Sequence, residues 1–179
     1  MSGPYIITYR GKKPEIDPSV FLAPTAAVTG DVTIGRESGV WFSSVVRGDE
    51  NYVRIGEKSN IQDNATVHGT MLDHPTTIGN LVTIGHGAIL HGCTVGDKVL
   101  IGMGARLLDG VKVSSESIVA AGTVLPEGFE VPPNTLVMGV PARIKRELRR
   151  KDVEWIVSYA ENYVQFRLNY MGREAEAKY

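Results

Sequence analysis

Aliphatic side chains recur at every sixth residue along most of this chain, and this period limits the fold more than any other feature of the sequence. The spacing runs from residue 16 to residue 137 with three interruptions and marks 20 aliphatic positions. Neither an α-helix nor a simple alternating strand produces a period of six. The positions are Ile16, Leu22, Val28, Ile34, Val40, Val46, Ile55, Ile61, Val67, Ile78, Ile84, Leu90, Val95, Ile101, Leu107, Val113, Val119, Leu125, Val131 and Val137.

A second pattern accompanies the first. A small or β-branched residue stands two positions before the aliphatic residue in 18 of the 20 repeats, with Pro14 and Phe129 as the exceptions. One large and one small inward residue followed by a turn describe a short strand, and three such strands close a triangular coil. Successive coils stack about 4.8 Å apart through parallel-sheet hydrogen bonds. The sequence therefore predicts an all-β protein, a parallel β-helix of six to seven coils over residues 1–140.

The composition indicates one soluble domain. The net charge of −1 over 179 residues provides no basic field that would attract nucleic acid. The N-terminus lacks a long apolar run, so we expect neither a signal peptide nor a membrane span. A lone cysteine, Cys93, occupies a small inward position, which favours a packing role in a reducing compartment. We therefore expect a cytoplasmic protein.

The six-residue pattern ends near residue 140, and residues 141–179 are predicted to form a C-terminal helical extension that packs on the prism. We expect a short helical segment around Ile144 and Leu148. A longer helix is predicted to begin near Asp152, which would act as its cap.

The longer predicted helix carries an aromatic stripe. Its members are spaced by four, four, three and four residues, which places them on one side of a helix. We expect the stripe to pack on the prism or on a neighbouring subunit, with Tyr159 as a candidate catalytic residue. The stripe consists of Trp155, Tyr159, Tyr163, Phe166 and Tyr170.

Three histidines lie close to the three interruptions of the period. His68 and His91 directly follow inward aliphatic residues, and His86 comes two positions after another. Residues that interrupt a repeat usually do something that the repeat cannot. The interruptions are three extra residues between Val46 and Ile55, five extra between Val67 and Ile78, and one missing between Leu90 and Val95.

Counting strands places Arg47, His68 and His91 on one face of the prism in successive coils. Their side chains should stack about 4.8 Å apart, close enough for two imidazoles to share one metal ion. His86 lies one face earlier, so the simplest way for it to ligate the same ion is from a second chain. A three-sided prism suits three-fold packing, which predicts a homotrimer with sites at its interfaces. Alternatively, each histidine is an ordinary polar corner residue.

Three histidines that leave a fourth position open are typical of catalytic zinc, whereas structural zinc sites are closed and rich in thiolate. Such an ion lowers the pKa of bound water to about 7, which makes hydroxide available near neutral pH. Imidazole suits zinc and iron, so the cofactor is expected to be one of these two.

The chain resembles the γ-class carbonic anhydrases and their close relatives over nearly its whole length. The resemblance implies a left-handed β-helix and reversible hydration of CO2 to bicarbonate by a metal-bound hydroxide at trimer interfaces. It also implies that His68, His86 and His91 are the metal ligands, with His86 donated across the interface. The matching segments are VVRGDENYVRIG (45–56), SNIQDNATVH (59–68), IGHGAILHGC (84–93) and VMGVPAR (137–143).

Four further polar residues match the family. Arg47 and Asp49 correspond to an ion pair at the subunit boundary that would orient the site, although an ordinary corner salt bridge would look the same. Gln62 and Asn60 correspond to polar residues near the metal that would position hydroxide or bicarbonate. Asn60 could equally cap a turn.

The chain departs from archetypal members in the loop after the first predicted ligand. Those members carry a long acidic loop with a glutamate that shuttles protons, whereas residues 69–75 contain no glutamate. Glu50 matches a glutamate that archetypal members also carry. His74 is a substitute shuttle if it points toward the metal, and otherwise it is a surface loop residue. The missing loop puts rapid turnover in doubt.

Other functions fit parts of the sequence. A hexapeptide acyltransferase would use a histidine as general base in an acyl-CoA cleft, and rapid acyl-CoA turnover without metal would identify it. A metal-dependent CoA thioesterase would use the same metal on a thioester. A trimeric scaffold would hold metal tightly without hydrating CO2 or hydrolysing thioesters.

Overall fold

The computed structural model describes residues 3–172, which form twenty short strands followed by one helix. The strands are β1 (Tyr5–Ile7), β2 (Glu15–Ile16), β3 (Phe21–Leu22), β4 (Ala27–Ile34), β5 (Gly39–Val40), β6 (Val45–Ile55), β7 (Asn60–Ile61), β8 (Thr66–His68), β9 (Thr76–Ile78), β10 (Thr83–Ile84), β11 (Ile89–His91), β12 (Thr94–Val95), β13 (Leu100–Ile101), β14 (Arg106–Leu107), β15 (Lys112–Val113), β16 (Ile118–Val119), β17 (Val124–Leu125), β18 (Glu130–Val131), β19 (Thr135–Met138) and β20 (Arg143–Glu147). The helix is α1 (Arg150–Tyr170).

The strands stack into three parallel faces of a prism. Face A contains β1, the first parts of β4 and β6, and then β8, β11, β14 and β17. Face B contains β2, the later parts of β4 and β6, and then β9, β12, β15 and β18. Face C contains β3, β5, β7, β10, β13, β16, β19 and β20. The predicted parallel β-helix of hexapeptide repeats is confirmed, with about seven coils.

The core fills the prism with the predicted inward residues. Eighteen of the 20 aliphatic positions are buried, and the two nearest the N-terminus, Ile16 and Leu22, are partly buried. Inward serines satisfy their hydroxyl groups on the next coil: Ser38 donates to the Gly56 carbonyl at 2.8 Å and Ser59 to the Gly79 carbonyl at 2.8 Å. The core therefore holds the faces rigidly, which fixes the positions of the outward side chains.

The three interruptions of the period become three local features of the coil. The three extra residues form part of the long strand β6, where the register against β4 shifts between Gly30 and Val32. The five extra residues form a loop after β8, closed by a bridge between Thr70 and His74. The missing residue gives a tight corner at Gly92, whose φ is +57°. The pairing resumes in register on either side of each feature.

The predicted short helix around Ile144 and Leu148 is wrong. Residues Arg143–Glu147 form β20, which pairs antiparallel with β19 and places Ile144 opposite Val137. The edge of β19 that faces away from β16 has backbone groups available for pairing. Hydrogen bonds to this edge outweigh the local helical preference of the segment.

The predicted longer helix is confirmed as α1, which begins at Arg150, two residues before the expected cap. The Asp152 carboxylate accepts a hydrogen bond from the Arg149 backbone N–H at 2.8 Å, so it does satisfy the helix start, from inside the first turn. The part of the predicted extension at 173–179 lies outside the described residues. Within residues 3–172, no helix is long and apolar enough to cross a membrane.

The helix lies on face C, where it contacts β3, β5 and β10. Ile156 and Ala160 are its buried apolar contacts. The C-terminal half of the aromatic stripe packs on the prism, with the Tyr163 and Tyr170 rings 5.2 and 5.3 Å from the Trp41 ring. Outward residues of face C are consequently covered by the chain's own helix.

Candidate metal centre

The first half of the candidate site lies on face A. Arg47 and Asp49 belong to β6, His68 ends β8, and His91 ends β11. The register pairs Arg47 with His68, and His68 with His91. The predicted ladder of these three side chains is therefore confirmed as an arrangement of the coil.

The two ladder histidines face each other through one nitrogen each. His68 Nδ1 lies 3.2 Å from His91 Nε2. Two nitrogen ligands at 2.0–2.1 Å from a tetrahedral metal ion lie about 3.4 Å apart. The spacing of the two imidazoles therefore fits a shared metal ion.

A carboxylate contacts the opposite nitrogen of both rings. Asp49 Oδ1 lies 3.1 Å from His68 Nε2, and Asp109 Oδ1 lies 2.7 Å from His91 Nδ1. A neutral imidazole has one N–H, and a carboxylate accepts it, so the hydrogen-bond pattern assigns both protons away from the space between the rings. Two lone pairs 3.2 Å apart repel each other unless a cation lies near them, and the Arg47 Nη2 lies 3.4 Å from His68 Nδ1 on one side. The donor set thus suits a metal oriented by carboxylate–histidine pairs.

The burial of His68 and its cationic neighbour favour the neutral form of the ring. Burial, together with the nearby Arg47 guanidinium, holds the pKa of His68 below its usual value, although Asp49 opposes this effect. Burial alone would raise the pKa of Asp49, but hydrogen bonds led by the one from Arg47 lower it below its ordinary value. A neutral imidazole is the form that binds metal.

The second half of the candidate site lies at a corner beside face C. His86 follows β10 on the turn that leads to β11, and its Nδ1 lies 2.8 Å from Asp63 Oδ2. Its ring therefore also has one nitrogen beside a carboxylate, and the side chain is 44% exposed. Within residues 3–172 of one chain, no group of three or more His, Cys, Asp or Glu side chains is arranged to hold a metal ion. One chain brings His68 and His91 together but not His86.

Asn60 and Gln62 lie on and just after β7, on face C and not beside the face A ladder. Both side chains are buried, and Gln62 Nε2 donates to Asn60 Oδ1 at 3.2 Å. Asn60 Nδ2 in turn donates to Thr83 Oγ1 at 2.9 Å. This chain of hydrogen bonds fixes both amides on the His86 side of the molecule.

Tyr159 lies on α1 between Trp155 and Tyr163, with ring centroids 5.6 and 5.8 Å away. Its neighbour Tyr163 is nearer to the polar residues of face C. Burial, with smaller effects from Tyr159 and Asp63, raises the pKa of Tyr163 to about 12. Tyr163 and Asp63 line the same groove of about 330 Å³.

Sequence reasoning missed three polar residues of the site: Asp63, Asp109 and Thr70. Thr70 Oγ1 donates to Asp109 Oδ2 at 2.6 Å and lies 3.3 Å from His91 Nδ1. Asp109 stands 18 residues after His91, which is one full coil, so the period itself could have found it. Asp63 directly follows Gln62, but its pairing with His86 spans a coil that contains the five-residue insertion.

His74 folds back toward the same place. A Cβ at Gly92 would lie 2.8 Å from the His74 Cβ, and a Cβ at Gly110 would lie 3.5 Å from the His74 Cε1. Burial alone would raise the pKa of Asp109, and the hydrogen bonds from Thr70 and His91 outweigh it. The five-residue loop therefore closes against the His91 end of the ladder.

The coil and the three histidine–carboxylate pairs define the class of protein, a hexapeptide-repeat β-helix with a candidate metal centre. A solved structure, a hexapeptide transferase family protein from Anaplasma phagocytophilum, matches with a TM-score of 0.89 and 37% identity, covering 93% of this chain and 98% of the other. No protein-family model matches the chain.

Two curated relatives are more specific. "Probable carbonic anhydrase" of Methanocaldococcus jannaschii is 45% identical over 150 residues, which are 84% of this chain and 94% of the relative. "Gamma carbonic anhydrase 1, mitochondrial" of Arabidopsis thaliana is 47% identical over 157 residues, 85% of this chain. The match spans only 57% of the length of that plant relative. This chain belongs to the γ-class carbonic anhydrase family.

Proposed function

We propose that three copies of this chain form a metal-dependent carbonic anhydrase that interconverts CO2 and bicarbonate at each interface. The observation that supports this most directly is the division of the histidines. His68 and His91 converge on face A, His86 projects from the corner beside face C, and each has a carboxylate beside one of its ring nitrogens. Joining a face A of one copy to the His86 corner of the next completes a three-imidazole site.

The residues of this chain have distinct roles in the proposed site. The carboxylates of Asp49 and Asp63 hold the imidazoles of His68 and His86 in the ligand tautomer. Arg47 forms an ion pair with Asp49, which keeps that carboxylate ionised and aligned with His68. His68, His91 and the His86 of a neighbouring copy would hold the metal, zinc or iron, which would supply a hydroxide nucleophile near neutral pH.

The buried amides of the His86 side would complete the substrate pocket. Gln62 is fixed by Asn60, which is itself fixed by Thr83, so the amide has little freedom to rotate. A fixed amide at the edge of the site positions bicarbonate by hydrogen bonding and excludes unproductive orientations. We also propose that the enzyme works in the cytoplasm, and that Tyr159 is a catalytic residue.

Mixed trimers test the division of the site between chains. In the His68→Ala variant face A is defective and the His86 corner is intact, whereas the His86→Ala variant has the opposite defect. Neither variant alone forms a complete site. Co-expression of equal amounts restores about a quarter of the interfaces, because face A and the corner are drawn independently from the two chains. Bound zinc and stopped-flow CO2 hydration should both return to about that fraction.

A matched control uses two defects in the same half. Co-expression of His68→Ala with His91→Ala restores no interface, because every face A is defective. Recovery of metal and activity in this control, or its absence in the first pair, would contradict the shared site. Full metal binding by His86→Ala alone would also contradict it.

The second candidate function is that of an acyltransferase, which the similarity to a hexapeptide transferase family protein favours. That function needs one histidine as base and has no use for a metal. Acetyl-CoA-dependent acylation by metal-free protein would favour it over the carbonic anhydrase. Metal-loaded protein that cleaves acyl-CoA thioesters and does not hydrate CO2 would favour the thioesterase, and metal-loaded protein inactive in both assays would favour the scaffold.

A further inference from the structure

The environment of His91 differs from that of the other histidines because two chain segments converge on one of its nitrogens. The Asp109 carboxylate binds His91 Nδ1 through one oxygen at 2.7 Å and the Thr70 hydroxyl through the other at 2.6 Å. Asp109 belongs to the next coil, and Thr70 belongs to the five-residue loop. His91 is the more exposed of the two ladder histidines, so packing alone constrains its ring less.

The backbone makes room for this contact. A Cβ at residue 92 would lie 2.2 Å from Asp109 Oδ1 and 3.0 Å from its Cγ. Only glycine permits the carboxylate to reach His91, and the missing residue at this corner brings Gly92 against it. The Gly110 N–H donates to the Gly92 carbonyl at 2.8 Å, which ties the Asp109 corner to the His91 corner.

We propose that Asp109, held in place by Thr70, is a positioning residue that fixes His91 as the Nδ1–H tautomer and so presents Nε2 to the metal. The inference rests on the proposed function in that it takes a metal to bind between His68 and His91. Two of the three interruptions of the repeat then help to position the Asp109 carboxylate. The five-residue insertion places Thr70 beside it, and the missing residue between Leu90 and Val95 places Gly92 beside it.

Two substitutions at one position separate orientation from charge. Asp109→Leu keeps the same number of side-chain heavy atoms, branched at Cγ, but has no acceptor, so His91 loses its fixed tautomer. Asp109→Asn keeps an oxygen that accepts the Nδ1–H and an amide that contacts the Thr70 hydroxyl. Loss of such a carboxylate typically weakens metal binding by about 10–100-fold. We expect that loss for Asp109→Leu and a clearly smaller one for Asp109→Asn.

Asp97→Leu is the matched control. Asp97 is also a corner carboxylate, but it accepts from the Asn80 backbone N–H at 2.7 Å and, within residues 3–172, forms no hydrogen bond or ion pair with a histidine. Zinc affinity is measured by competition with a chelating dye, and thermal unfolding of each metal-free variant reports structural damage. Equal losses of affinity at positions 97 and 109 would reduce Asp109 to a structural role and overturn the proposal. Unchanged affinity in Asp109→Leu would do the same.

Nitrogen-15 NMR of the histidine side chains in chelator-treated protein gives a second reading. We expect the Nδ1–H tautomer for His91 in the wild type and in Asp109→Asn, and its loss in Asp109→Leu. Observation of the Nε2–H tautomer of His91 in the wild type would overturn the proposal. If the wild type bound no metal, the proposed function would fail, yet this measurement would still decide whether Asp109 orients His91.

Discussion

Replacement of Gly92 by alanine tests the tightest point of the candidate site. Gly92 adopts a φ of +57°, a region that costs an L-residue about 1–2 kcal/mol. The added Cβ would also lie 2.2 Å from Asp109 Oδ1 and 2.8 Å from the His74 Cβ. Asp109 must therefore move away and release its hydrogen bonds to Thr70 and His91.

The expected loss of stability has two contributions, the backbone strain at residue 92 and the loss of the hydrogen bonds of Asp109. Each released hydrogen bond contributes about 0.5–1.5 kcal/mol. Gly122 isolates the backbone strain, because its φ is +67° and an added Cβ meets nothing within 4 Å. Gly92→Ala should therefore lower the free energy of unfolding by about 1–3 kcal/mol more than Gly122→Ala.

The assay is denaturant unfolding of metal-free protein at one fixed protein concentration, since metal and subunit binding would both add stability. For a chain of this size the difference corresponds to a melting temperature roughly 2–12 °C lower for Gly92→Ala than for Gly122→Ala. Zinc affinity should fall only in Gly92→Ala. Equal stability of the two variants would refute the close approach of Asp109 to residue 92.

Three further outcomes are expected. His86→Ala should abolish zinc binding, measured by metal content, and leave the melting of metal-free protein nearly unchanged, because the ring is half-exposed on a turn. Leu107→Ala should lower the free energy of unfolding by about 2–5 kcal/mol in denaturant titration, because the side chain is fully buried. Burial raises the pKa of the Cys93 thiol from 9.0 to about 12, so the stability it contributes is complete below pH 9 and is lost as the pH rises toward 12. Unfolding titrations across this range should show the wild type losing stability relative to Cys93→Ala, and an unchanged difference would contradict the burial of the thiol.

The coil was predictable because the same requirement is repeated in every strand. Each inward aliphatic residue fills the same kind of space, so twenty weak signals agree on one period. The interruptions did not hide the register, since the inward pattern resumes after each of them. Counting strands was enough to pair Arg47, His68 and His91.

The carboxylate partners of the histidines were harder to predict from the sequence. The pairing of Asp109 with His91 could have been predicted, because the two are separated by one regular coil of 18 residues. Asp63 and His86 are separated by a coil lengthened by five residues. Local sequence carries no information about which acid contacts which ring. The assignment of His68, His86 and His91 as metal ligands stays a prediction, because contacts between copies decide whether the two halves meet.

The segment after β19 was mispredicted for a different reason. Its local residues favour a helix, and the competing hydrogen bonds come from β19, whose edge is created only by the folded coil. Helix α1 was predictable because its aromatic spacing repeats over five residues. The short segment after β19 has no such repeated pattern, so its prediction depended on a few local residues.

The antiparallel strand β20 has a consequence for how the molecule ends. A stack of parallel coils could in principle continue from one molecule into the next, because its last strand presents unpaired backbone groups. On face C that edge is occupied by a strand running in the opposite direction, with all five residues exposed and four of them charged. A second molecule approaching this end meets a strand of reversed direction whose exposed side chains are mostly charged. The strand therefore acts as a stop against end-to-end polymerisation into fibres.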